Sequence, residues 1–123
     1  QVIGGLEGAQ GQFTLDYWAS TSRESALWLK QEKGDEGRLC VTAELSSSWE
    51  IYLPTWKVSD TTRIQDCPSY SQYAYAFARN DWLQMATNYA DEHPTLWKPI
   101  HHIERGGVRL GTVFKNLQPT SGL

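Results

Sequence analysis

The chain has no apolar run near the roughly 18–20 residues that a membrane-spanning helix needs, so no span is expected. It has no two adjacent basic residues, although eleven of its 123 residues are Lys or Arg. A surface that tracks phosphates needs a basic patch, so nucleic acid is not expected as the main partner, and the net charge of −3 does not favour an acidic substrate. The motifs GxSxG, HExxH, GxGxxG and the P-loop do not occur. There is no calcium loop of the DxDxDG type, and no metal or cofactor is implied. Methionine occurs once, at Met85, and the chain starts at Gln1. Export with removal of a leader is the expectation drawn from that start.

Cysteine is scarce: Cys40 and Cys67 are the two present. Their spacing fits neither a redox CxxC nor a zinc pattern. One disulfide between them would close a loop worth about 3–4 kcal/mol in the chain-entropy model. Such a bond points to a secreted or periplasmic compartment. Phenylalanine is scarce as well. Three of the fifteen aromatic residues are Phe, against six Trp and six Tyr. Trp and Tyr join a large apolar body to a polar tip and suit half-wet surfaces. A binding face is one such place.

The length predicts one domain over 1–123, with 1–12 as an irregular Gly-rich lead-in and 116–123 as a polar tail. Alternation over 13–18 predicts a strand with Phe13, Leu15 and Tyr17 on one side. Residues 26–33 read as a second strand in preference to a helix begun by the Thr21–Glu24 capping box and stopped at Gly34. Residues 38–45 give the clearest strand, with Leu39, Val41, Ala43 and Leu45 inward. Residues 49–56 resume the alternation through Trp49, Ile51 and Leu53, and Pro54 marks an edge. A loop is expected over 57–69. The period over 73–78 fits a strand and its alanines fit a helix. Residues 80–93 form a helix with Asn80 as N-cap and Pro94 as terminator. A hairpin, 97–104 and 108–115, turns at Arg105-Gly106-Gly107. The expected class is therefore α+β and β-rich: an antiparallel sheet or small barrel of about six strands, with one firm helix and a C-terminal hairpin.

Three groups of residues could carry function. On the strand reading, Trp18, Trp28 and Tyr52 gather opposite the core beside Asp16, Lys30 and Arg38. Aromatic plates set among charges suit a sugar ring or a protein hot spot. Second, His102 and Glu104 share a strand face with Arg105 nearby, while His101 points the other way. A near-neutral imidazole with a carboxylate and a cation could cleave a phosphodiester. Third, Asp91-Glu92-His93 places two acids against the negative pole of a helix. With catalytic motifs lacking, the leading expectation is an exported, non-enzymatic binding module for a protein or glycan: an effector, an inhibitor, an immunity protein or a lectin-like domain. A small secreted hydrolase, nuclease-like and using His102, Glu104 and Arg105, is the alternative. A structural or assembly subunit pairing through sheet edges is another.

Overall fold

A computed structural model describes residues 10–42, 47–78 and 82–120. Its elements in chain order are helix α1 (Gln10–Lys33), strand β1 (Arg38–Thr42), the short helix α2 (Ser47–Glu50), strand β2 (Lys57–Thr61), a 3-10 turn (Ile64–Asp66), strand β3 (Tyr73–Phe77), helix α3 (Trp82–Glu92) and the strands β4 (Trp97–Arg105) and β5 (Val108–Asn116). The five strands form one open sheet in the order β2-β1-β3-β5-β4. β1 runs parallel to both β2 and β3, whereas β3–β5 and β4–β5 are antiparallel. The class is α+β as expected, but the sheet is mixed, open and five-stranded, not an antiparallel sheet or barrel of six.

The main correction is at the N-terminal side. The strands expected over 13–18 and 26–33 are a single helix, which begins inside the segment read as irregular lead-in. Thr21, Ser22, Ser25, Ala26 and Leu29 are buried, and Leu27 is 43% exposed. That spacing is helical. The buried stripe was hard to read because three of its five residues carry hydroxyls, so hydropathy does not mark it. Small side chains there let the helix axis lie close to the sheet, and α1 crosses β3, β5 and β4. Gly34 ends the helix at φ +100°, its N–H donating to the Lys30 carbonyl at 3.0 Å.

Residues 49–56 were a second misreading. Trp49 and Leu53 are fully buried, but Ile51 is 77% exposed. The buried pair is four residues apart because α2 and the turn after it bring them to the same side; the Leu53 N–H donates to the Trp49 carbonyl at 2.9 Å. The edge strand is instead β2, in the stretch expected to be a loop. The helix expected over 80–93 is present as α3, and its proposed cap, Asn80, lies outside the described residues. The hairpin is present and turns through Gly106 and Gly107, both at positive φ, +58° and +80°. Asn116, assigned above to a loose tail, is buried and donates to the Ser69 and Ser71 carbonyls.

Two cores lie on opposite faces of the sheet. Strand β3 separates them by alternation. Tyr75 and Phe77 enter a core with Leu29, Leu39, Val41, Trp49 and Val113 under α1 and α2. Ala74 and Ala76 face Ala86, Ala90, Phe114 and Trp97 under α3. Gly111 is needed beside Tyr75, because a Cβ there would come within 2.5 Å of the phenolic oxygen. The expected disulfide is formed: Cys40 and Cys67 are joined with Cα atoms 5.9 Å apart. Cys40 is in register with Ala74, which places the bond on the α3 side.

Candidate functional site

Helix α1 sets Trp28 against the sheet, where it stacks on His101 of β4 with ring centroids 4.1 Å apart and planes 5° from parallel. Near the C-terminal end of the same helix, Lys33 places its ammonium 6.0 Å from the Trp28 ring and 6.0 Å from the Tyr73 ring. Trp56 approaches Tyr73 at 5.9 Å and is fixed by its indole N–H donating to the Gly34 carbonyl. Trp28, Tyr52 and Tyr73 are half-buried, packed on the α1-side core.

Sheet register adds cations to these rings. Tyr73 of β3 is paired with Lys115 of β5, and Lys115 is paired with Lys98 of β4. Directly opposed residues of neighbouring strands point to the same face, with Cβ atoms about 5 Å apart. Lys33, Lys98 and Lys115 are exposed, and among the described residues none of them forms an ion pair. Burial pushes the Tyr73 phenol above its ordinary value. Burial also holds the His101 imidazole below 6.5, against the opposing pull of Glu24 and Glu32. His101 is therefore neutral at pH 7, a flat ring under Trp28 and not a fourth cation.

The aromatic face expected from the sequence is only partly assembled. Trp28 and Tyr52 do lie together on one side, but that side is the one bearing Leu39 and Val41. Arg38 alternates away from it and donates through Nε to the Tyr70 carbonyl at 2.7 Å. Lys30 is exposed on α1. The side chains of Asp16 and Trp18 lie outside the described residues, within a helix and not a strand. Tyr73, Lys33, Lys98 and Lys115 were missed. Counting outward from Arg105 and Val108 already pairs Lys98 with Lys115, because the two irregularities in the hairpin cancel. Nothing in the sequence, however, places Tyr73 beside Lys115.

The second candidate is also rearranged. His102 hydrogen-bonds through Nδ1 to Thr112 Oγ1 at 2.9 Å. Its imidazole is held below 6.5 by burial and then by the Arg109 charge, with Glu104 opposing. Arg105 does not join it; its guanidinium pairs with Glu24 of α1. Arg109 stands in its place, 3.7 Å from Glu104. Glu104 and Arg109 line a cleft of about 380 Å³ with Leu83, Gln84 and Thr87 of α3. At the third candidate, Asp91 and Glu92 are exposed, and His93 stacks on Tyr89 while its Nδ1–H donates to the Tyr89 carbonyl. No group of three or more His, Cys, Asp or Glu suited to a metal occurs among the described residues. No helix among them is long and apolar enough to cross a membrane. Comparison of the chain with protein families, with curated proteins and with solved structures found no match.

Proposed function

We propose that the protein is an exported, non-enzymatic binding module that meets its partner on the α1 side of the sheet, around Trp28, His101 and Tyr73. The observation that carries this reading is the juxtaposition of half-buried aromatic rings with the exposed ammoniums of Lys33, Lys98 and Lys115, which form no ion pair among the described residues. Half-buried Trp and Tyr lose little conformational freedom on association and supply much of the energy at protein hot spots. The Cys40–Cys67 bond supports an extracytoplasmic setting. The test is amide-shift mapping against a panel of short peptides and oligosaccharides. Binders should move the amides of Trp28, Lys33, Tyr73, Lys98 and Lys115. A panel whose binders instead move Gln84, Thr87 and Arg109 defeats the reading.

A second reading rests on the cleft beside α3. Glu104 and Arg109 of that cleft would supply a carboxylate and a cation, and His102, outside its lining but two residues along β4, the neutral base for phosphodiester cleavage, with Arg109 in place of Arg105. Wild type and His102→Ala compared on RNA and DNA from about pH 5 to about pH 8 decide it; absence of cleavage by wild type ends it. Assembly through sheet edges has less support. The edge strand β4 carries Pro99, Lys98, Glu104 and Arg105 with two register irregularities, and the edge strand β2 carries Lys57 and Asp60. These are features that oppose strand addition.

A further inference from the structure

We propose that the occupant of the α1-side face is an acidic protein segment, its carboxylates held by Lys98, Lys115 and Lys33 and its backbone laid against Tyr73 and Trp28. This rests on the binding-face reading above and names the partner's chemistry.

The free protein carries a cost at this face. Lys98 and Lys115 are directly opposed across β4 and β5, and like charges in that position are destabilising. Lys33 reaches toward the same end of the sheet from α1. No carboxylate among the described residues pairs with any of the three. Glu24 is engaged with Arg105, and Glu32, close enough to bear on His101, forms no ion pair among the described residues. Two or more carboxylates arriving together would remove the Lys98–Lys115 repulsion and be held in turn.

A sugar needs a free π face. One face of Trp28 is covered by His101 in near-parallel contact, and Lys33 stands over the same ring. Tyr73 has Trp56 on one flank and the same lysine above it. The rings therefore make a wall for the contact and not an open platform, which favours a peptide over a glycan. The positive patch is also small. Three lysines on a chain of net charge −3 make a local positive field, too small for a polymer with a phosphate at every step. Lysine is a compact point charge with rotatable donors, suited to carboxylates arriving along an extended segment.

The test measures binding of a labelled, short glutamate-rich peptide, with a glutamine-rich peptide of equal length, polygalacturonate and oligothymidylate as comparisons. The glutamate peptide should bind tightest and weaken as salt rises. Lys98→Gln with Lys115→Gln should lower its affinity by about tenfold, while Lys57→Gln, which lies over Tyr70 away from the face, should leave it unchanged. Removing both of two opposed like charges relieves their repulsion and does not threaten folding, and a thermal midpoint of the double variant equal to or above that of wild type would confirm that. The inference is overturned if the glutamine peptide, the uronate or the oligonucleotide binds as tightly, or if the double variant binds as wild type does. Shift mapping separates the two levels. If a neutral ligand moves Trp28 and Tyr73 and ignores the lysine variants, the acidic partner is wrong and the binding face stands. If the glutamate peptide moves only cleft residues, both are wrong.

Discussion

The two faces of the sheet are built from residues of opposite size. Under α1 and α2 the buried side chains are Trp49, Tyr75, Phe77, Leu29 and Leu53. Under α3 they are Ala74, Ala76, Ala86 and Ala90, with Ile64, Leu83, Phe114 and Trp97 as the larger members. A single strand, Tyr73-Ala74-Tyr75-Ala76-Phe77, supplies both patterns. Its odd positions make a thick layer whose aromatics reach the surface at Tyr73. Its even positions make a thin layer that α3 can approach closely, closed off by the Cys40–Cys67 bond. Size thus separates the faces more clearly than polarity does. The thick layer has amphipathic rings at its margin, where a partner can meet them. The thin layer is tied covalently and carries the cleft.

Substitutions can break this contrast. Tyr75→Ala should have the largest effect. Tyr75 is fully buried and packs at 4.8 Å from Trp49, so emptying that place should cost about 3–5 kcal/mol of unfolding free energy in a denaturant titration. A protein that loses under about 1 kcal/mol would show that the thick layer is not a single packed core. Replacing both Cys40 and Cys67 by Ser should come next, with a loss of about 2–5 kcal/mol and the same loss in wild type on reduction. The opposite fault, Ala76→Leu, overfills the thin layer against α3 and should cost about 1–3 kcal/mol. Its damage should be read at α3 by hydrogen exchange, with α1 unaffected.

The smallest effect expected is that of pH, which acts on both faces. His101 on the thick side and His102 on the thin side each titrate below 6.5 because burial disfavours the charged form. The unfolded chain therefore takes up protons at a higher pH than the folded one. Stability is full above 6.5 and falls as pH drops below it toward the folded values. Unfolding curves between about pH 7 and about pH 5 should show a modest decline, reduced in His101→Gln and in His102→Gln separately. Stability that rises as pH falls through this range would contradict the burial of both rings.

Where pattern and burial coincide, the sequence was readable. Leu39 and Val41 in β1, the Gly-Gly hairpin and the disulfide follow from period, turn chemistry or count, and of the expected α3 stripe Trp82, Leu83, Met85, Ala86, Tyr89 and Ala90 the residues Leu83, Ala86 and Ala90 are buried while Met85 is exposed. The failures share a cause. Thr21, Ser22 and Ser25 are buried hydroxyl residues, so the inner face of α1 carries no hydrophobic signature, and the short alternation at Phe13, Leu15 and Tyr17 was read as a strand instead. Parallel pairing of β1 with β2 and β3 leaves no local mark, because it joins residues far apart in the chain. The candidate site suffered from both. Trp28 stands out in the sequence, but the expectation places it on a strand and groups it with Arg38, which faces elsewhere. The lysines around Tyr73 are separated by 65 and 82 positions from Lys33 to Lys98 and Lys115, and only the fold brings them to one side of the sheet.

The disulfide also has a mechanical consequence. With a sequence separation of 27, the bond leaves 26 residues between Cys40 and Cys67, and the whole edge strand β2 lies among them. Tension applied to the chain ends would pass from Cys40 directly to Cys67 and never load β2. Pulled to full extension, the oxidised protein would stop about 90 Å short of the reduced one, and the edge strand would stay outside the load path.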